Sequence, residues 1–330
     1  MMKNKNSKIA VSWGDPAGIG PEVILKSFPL LPKSLKARIT VFGDLHYLKW
    51  LNLKLRANVT ILDAKIAKAG DEGLRCEGIE RLRFSHKDFG RIDKRFGLAA
   101  MRSLDSAVKA VMDGRFSALV TAPIQKESVN LAGYKIAGHT EYLARITKSD
   151  VAMMLSCKKL SVIVLTTHLP IKDVAGKIKA GDIEKKLKII NAFFQKMRGK
   201  RPVIAVCGLN PHASDGGLFG TEEKKIITPA IERAKKTGVN AEGPYPADTL
   251  FTPKFIKKFD VALAMYHDQG LVPVKLLGFG ETVNITLGLP FLRVSVDHGT
   301  AFDIAGKNMA DPSSMVHAIK KTANMLRGRF

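Results

Sequence analysis

Cysteine is scarce in the 330-residue chain, with 3 residues, Cys76, Cys157 and Cys207, and no C-x-x-C pair. That spacing gives no support to a zinc knuckle or a redox dithiol. Cys157 and Cys207 end apolar runs and read as buried free thiols, which favours a reducing compartment. Long apolar runs are also missing: none approaches the roughly 18 residues that span a bilayer. Near the start only Ile9 to Val11 is apolar before Gly14-Asp15-Pro16, too little for the core of a signal peptide. A cytoplasmic protein without a membrane partner is expected. Aromatics make up only 7 %, and acidic residues are outnumbered, 30 against 53 Lys+Arg, for a formal charge of +23. Such a surplus raises nucleic acid as a partner. The lysines, however, outnumber the arginines 37 to 16 and are scattered in doublets such as Lys185-Lys186 and Lys257-Lys258, the pattern of solvated helix faces. With no zinc-finger, RNP or helix-turn-helix signature, no nucleic acid is expected.

What is present is the composition of a globular chain, 45 % hydrophobic and 25 % charged with 28 Gly and 15 Pro, which excludes disorder and collagen. Short β-branched runs recur at Lys8 to Trp13, Arg38 to Phe42, Ala118 to Thr121, Val151 to Ser156, Leu160 to Thr166, Pro202 to Cys207, Val261 to Tyr266 and Leu292 to Val296. They read as buried strands. Helical periods lie between them, as in Leu98, Met101, Leu104, Val108 and Val111 before Gly114, and Ile183, Leu187, Ile190 and Phe194 before Gly199. The alternation predicts α/β layers on a largely parallel sheet.

In such a sheet ligands bind beyond the carboxyl ends of the strands. Three histidines, His168, His212 and His267, occupy those positions, each after a different strand. They are either a tri-histidine metal site, suited to a borderline divalent cation and leaving positions open for substrate oxygen, or hydrogen-bonded structural residues. Asp248 and Asp268 are carboxylates that can orient a ligand or move a proton, or cap a helix. The loops 14–22 and 215–223 open helices, with Thr221 a candidate N-cap, and either bind an anion or merely turn the chain. Neither matches G-x-G-x-x-G or the P-loop, so an ordinary Rossmann site and a Walker ATPase are disfavoured. Lys275, Asn284 and Arg293 fall near element ends, where the two cations can clamp a phosphate or carboxylate.

Gly14-Asp15-Pro16-Ala17-Gly18-Ile19-Gly20-Pro21-Glu22, Gly138-His139-Thr140-Glu141, Thr166-Thr167-His168-Leu169-Pro170, Gly208-Leu209-Asn210-Pro211-His212-Ala213, Pro246-Ala247-Asp248-Thr249-Leu250-Phe251, Ala264-Met265-Tyr266-His267-Asp268-Gln269-Gly270, Gly278-Phe279-Gly280 and Ser295-Val296-Asp297-His298-Gly299-Thr300-Ala301 closely resemble the 4-hydroxythreonine-4-phosphate dehydrogenase family of vitamin B6 synthesis. The resemblance runs from about residue 8 to 320, with none of it between about 50 and 95. It implies two α/β/α subdomains around a cleft, like isocitrate and isopropylmalate dehydrogenases: residues 1–133 with 297–330, and 134–296. It further implies NAD- or NADP-dependent oxidation of 4-phosphooxy-L-threonine at C3, then loss of CO2 to give 3-amino-2-oxopropyl phosphate. The family's divalent cation (zinc, magnesium or cobalt) maps onto His168, His212 and His267, and its substrate contacts onto His139, Thr140, Lys275, Asn284 and Arg293. A homodimer with a shared site is implied. Relatives acting on erythronate or threonate 4-phosphate are the nearest alternative, and a metallohydrolase a distant one.

Overall fold

The computed structural model of the chain describes residues 7–278 and 280–329; Phe279 of the expected Gly278-Phe279-Gly280 motif and Lys3 and Lys5 near the start lie outside them. Among the described residues the strands are β1 (Ile9–Ser12), β2 (Ile39–Gly43), β3 (Ile61–Asp63), β4 (Leu74–Gly78), β5 (Ala118–Thr121), β6 (Ala152–Ser156), β7 (Ser161–Val164), β8 (Ile204–Cys207), β9 (Ala241–Tyr245), β10 (Val261–Ala264), β11 (Val283–Leu287) and β12 (Leu292–Ser295). The α-helices are α1 (Gly20–Ser27), α2 (Lys33–Lys36), α3 (Leu45–Leu55), α4 (Lys94–Met112), α5 (Lys126–Leu131), α6 (His139–Thr147), α7 (Ile171–Lys177), α8 (Ala180–Arg198), α9 (Thr228–Lys236), α10 (Ala247–Leu250), α11 (His267–Gly278) and α12 (Ser313–Leu326). The chain divides into a central unit, 150–288, and a terminal unit made by the segments on either side of it.

The terminal unit carries the strand order β3-β4-β2-β1-β5-β12, all parallel. Strands β1, β2, β5 and β12 are buried along their whole length, as continuous apolar runs in a sheet covered on both faces should be. The outer β3 and β4 were not legible as apolar runs: Ile61-Leu62-Asp63 is short, and Leu74-Arg75-Cys76-Glu77-Gly78 alternates with charge. Helix α4 starts where Asp93 accepts the Arg95 N–H (2.8 Å) and buries Met101, Leu104, Val108 and Val111, as its spacing predicted. Ser103 in that buried face donates to the Phe42 carbonyl at 2.7 Å and accepts the Trp13 N–H at 3.1 Å, tying α4 to β1 and β2. Residues 134–149 pack with this unit, where the hydroxyls of Tyr134 and Tyr142 both donate to Asp105.

The central unit carries the order β11-β6-β7-β10-β8-β9. Here the largely parallel sheet has one exception: β6 runs antiparallel to both neighbours. The cause is the two-residue connection Lys158-Lys159, closed by Cys157 N–H to Leu160 O at 2.9 Å, and a hairpin can join only antiparallel strands. Strand β11 went unread because its polar and apolar residues alternate, and β9 because Gly243 and Pro244 interrupt it. An edge strand tolerates that proline. Helix α8 buries Ile183, Leu187, Ile190 and Phe194, and ends on Gly199 in the left-handed conformation (φ 76°). Thr221, expected as an N-cap, makes no side-chain capping bond among the described residues; a π-helical turn, Glu223–Ile227, leads into α9 instead. The three cysteines are free and buried, and burial pushes the Cys76 thiol up to about 12 and raises that of Cys207 as well, so these two are unreactive packing groups. No helix among the described residues is long and apolar enough to cross a membrane.

Candidate functional site

Strands β7, β10 and β8 are adjacent and parallel, so their carboxyl ends open side by side, about 5 Å apart. The chain leaves β7 toward His168, leaves β10 to begin α11 at His267, and leaves β8 toward His212. Sequence order thus becomes spatial order: three histidines distant along the chain follow three neighbouring strands.

The His168 and His267 rings lie 5.9 Å apart between centroids. His267 Nδ1 is 2.6 Å from Asp268 Oδ1, which fixes the ring and leaves Nε2 for another bond. His212 is not gathered into that pair; its ring lies 6.4 Å from Phe219. Among the described residues no three His, Cys, Asp or Glu side chains converge closely enough to hold a metal ion.

The loop bearing His212 is strained. His212, Ala213, Ser214 and Asp215 have φ of 53°, 52°, 72° and 43°, four non-glycine residues in succession in the left-handed region. Each costs roughly 1 kcal/mol, and such a run persists only where its surroundings over-determine it. Those surroundings are visible. Buried Glu223 accepts the N–H groups of Leu209 and Asn210, both at 2.8 Å, and the Asn210 amide donates to Glu222 and Glu223, both at 2.9 Å. Ser214 Oγ donates to the Gly220 carbonyl at 2.5 Å. Gln269 then joins the strand ends: its Oε1 accepts the Met265 N–H and its Nε2 donates to the Gly208 carbonyl, both at 2.7 Å. Thr166 Oγ1 donates to Met265 O at 2.8 Å, closing the chain of contacts from β7 through β10 to β8. Elsewhere in this unit Lys275 is exposed on α11, Asp248 is exposed at the start of α10, and Asn284 on β11 has a buried Oδ1 with no hydrogen-bond partner among the described residues.

In the terminal unit Arg293 on β12 is 2 % exposed and donates from Nη2 to Thr121 Oγ1 on adjacent β5 at 2.7 Å. Burial pulls its pKa down to about 10, against the pull of the Glu141 carboxylate, so the guanidinium stays charged at neutral pH. His139 opens α6; burial first and the Arg293 charge second hold it well below the usual histidine range. It is therefore a neutral imidazole, and its buried Nε2 has no partner among the described residues. A fixed cation beside a neutral ring, with Thr140 in the first turn of α6, suits an anionic oxygen.

The loop 14–22 resolves toward the tight-turn reading. Gly14 has φ 77°, and a Cβ there would lie 2.3 Å from the Pro123 carbonyl; one at Gly18 would lie 2.9 Å from Thr300. Packed in this way, its buried residues offer no open cradle for a pyrophosphate. The turn holds Asp15, whose Oδ1 accepts the Ala17 N–H at 2.8 Å while Oδ2 is buried without a partner among the described residues. Burial pushes Asp15 up to about 7 from 3.8, against the backbone N–H groups of Ala17 and Gln125. The folded pKa exceeds the unfolded one, so the fold binds the extra proton between those values. Stability is greatest below about pH 4 for this group and declines by roughly 4 kcal/mol as pH rises to 7. Denaturant melts of Asp15→Asn, which keeps the acceptor for Ala17, should lack this decline; parallel curves for the two proteins would refute the assignment.

Gln269, Glu223, Thr121 and Asp15 lay inside stretches read from the sequence, but none had been given a role. Only the Gly-Asp-Pro turn, an acid between apolar runs, carried a local signal.

Comparison with known proteins adds to this geometry. The protein-family model described as Pyridoxal phosphate biosynthetic protein PdxA matches residues 35–322. A 4-hydroxythreonine-4-phosphate dehydrogenase from Sulfurihydrogenibium sp. (strain YO3AOP1) is 41 % identical over 328 residues, covering 98 % of this chain and 99 % of the relative. A D-threonate 4-phosphate dehydrogenase from Cupriavidus necator is 42 % identical over 334 residues, covering 97 % and 98 %. Among solved structures, a 4-hydroxythreonine-4-phosphate dehydrogenase from Klebsiella pneumoniae matches with a TM-score of 0.86 and 37 % identity, over 97 % of this chain and 99 % of that one.

Proposed function

The chain belongs to the pyridoxal phosphate biosynthetic protein PdxA family and is an oxidoreductase, and from that premise we propose that it oxidises 4-phosphooxy-L-threonine at C3. In this reading the C3 hydroxyl loses its proton and C3 its hydride, which passes to NAD or NADP. The resulting 3-keto acid loses CO2 to give 3-amino-2-oxopropyl phosphate. The observation that carries it is the histidine placement: His168, His267 and His212 follow three adjacent strand ends, and Asp268 orients the His267 ring.

The residue types suit a divalent cation, although the three rings do not converge on one point in this structure. His168 and His267 would supply two ligands and His212 the third, all imidazole, which suits zinc or cobalt better than magnesium. When bound, such a cation supplies Lewis acidity that lowers the pKa of an alcohol and stabilises an enolate. The protein's own residues do the rest. Arg293 and Lys275 supply fixed and mobile positive charge for the phosphate and carboxylate, and neutral His139, Thr140 and Asn284 supply hydrogen bonds. Asp248 is proposed as a proton-transfer partner; near-wild-type kcat in Asp248→Asn would remove it.

We also propose a homodimer with a shared site. Val272 and Leu276 stand one turn apart on α11, 62 % and 83 % exposed, on either side of Lys275 in sequence, and Leu218 and Phe219 of the His212 loop are 78 % and 50 % exposed. Apolar groups left in water this way are those an interface covers.

Gln269 is a positioning residue in this scheme. Gln269→Leu leaves Met265 N–H and Gly208 C=O unpaired, so a stability loss of about 2–4 kcal/mol is expected. Cobalt affinity by calorimetry should fall about 10- to 100-fold, as for groups that orient metal ligands. Unchanged affinity would separate the His212 loop from the site.

A second reading rests on one observation: a D-threonate 4-phosphate dehydrogenase is as similar to this chain as the 4-hydroxythreonine-4-phosphate enzymes are. The two substrates differ at C2, ammonium against hydroxyl. Steady-state kcat/KM for both, with reduced nicotinamide as readout, decides: the proposal expects 4-phosphooxy-L-threonine to be favoured, and the reverse order would install the second reading.

A further inference from the structure

The terminal unit holds a cavity of about 480 Å³ that the proposed reaction does not use. Its wall gathers at the amino ends of strands: Lys8 precedes β1, Arg38 precedes β2, Arg75 lies at the start of β4, and Arg115 precedes β5. In a parallel sheet this is the side opposite the carboxyl ends, where Gly14 follows β1 and Thr121 closes β5. Lys68 and Glu77 complete the ionisable lining, so five cations face one carboxylate.

That carboxylate is already engaged. Glu77 takes a two-pronged contact from Arg115, at 2.9 and 3.0 Å, leaving Lys8, Arg38, Lys68 and Arg75 with no ion pair among the described residues. Arg75 Nη2 donates only to backbone carbonyls, those of Lys68 at 2.9 Å and Asp71 at 3.5 Å, while the Asp71 carboxylate turns to the Lys68 N–H at 2.8 Å. Arg38 is 7 % exposed. Its Nε donates to the Ser7 carbonyl at 2.7 Å, but Nη1 and Nη2 are buried without hydrogen-bond partners among the described residues. Burial first and the like charge of Arg327 second press on its charged form.

A buried guanidinium with two unsatisfied nitrogens, backed by three further unpaired cations, is stabilised by an anion with several oxygens. The planar fork suits a phosphate, and the volume suits a small molecule, not a macromolecule. We infer that this cavity is a second anion site, one that binds a small phosphorylated compound independently of the reaction centre. The inference does not depend on the proposed activity.

The test is a calorimetric titration of the intact protein with inorganic pyrophosphate, alone and with saturating 4-phosphooxy-L-threonine. Binding is expected in both conditions and should weaken as salt is raised. The double variant Lys68→Gln, Arg75→Gln alters only exposed or half-buried cavity residues, so it should fold; its pyrophosphate affinity should fall about tenfold or more, with kcat unchanged. Arg38→Gln should abolish binding, and its folding is checked by circular dichroism. Pyrophosphate binding that substrate abolishes, or that the double variant leaves intact, would overturn the inference, as would no binding to the wild type.

Discussion

Arg293→Met is expected to lower kcat/KM for the phosphorylated substrate by roughly 10²–10⁴, the effect of removing one partner from a desolvated charge pair. The residue sits on a buried strand at 2 % exposure, where burial has already pulled its pKa to about 10. Removing this one partner also leaves the Thr121 hydroxyl and the Glu141 carboxylate without their cation, so a loss of stability accompanies the loss of activity. The two effects are separated by measuring kcat/KM per folded molecule, which should still fall. Arg293→Lys keeps the charge but loses the planar fork and the geometry that reaches Thr121 at 2.7 Å, so it should recover only a fraction of the activity. A variant that unfolds, yet turns over normally per folded molecule, would make Arg293 structural.

His267→Ala should be more damaging still, costing about 10³ or more in kcat, because in the proposed site it removes one of the three metal ligands. His267 begins α11, is oriented by Asp268 at 2.6 Å and is the member of the trio that pairs with the His168 ring. Metal content measured on purified protein should fall with activity. Asp268→Asn should retain the ligand and lose its orientation, with a smaller drop of about 10- to 100-fold in metal affinity. His212→Ala separates two roles for its loop: if the left-handed turn exists to present the imidazole, the variant folds normally and loses the cation.

Much of this was legible in the chain. Burial on both faces makes the inner strands continuous apolar runs, so β1, β2, β5, β7, β8, β10 and β12 announce themselves, and α4 and α8 do so by period and by a terminal glycine. Strands β3, β4, β9 and β11 did not, because partial exposure or a glycine-proline break erases the pattern. The histidines could be nominated because each follows such a run. Their adjacency could not, since it depends on the order β7-β10-β8, which no spacing encodes. Gln269 was hidden for the same reason: it bonds a carbonyl 61 residues away. The +23 charge reads as scattered lysine, and most of it is, yet four cations meet in one cavity without acidic partners among the described residues.

The most direct measurement is absorbance at the reduced-nicotinamide band when the enzyme meets 4-phosphooxy-L-threonine and NAD or NADP, before and after treatment with a chelator. A rise is expected with at least one nucleotide, with CO2 released in equal amount, loss of both after chelation and recovery on adding a divalent cation. Full turnover in the chelated, metal-free protein would contradict it.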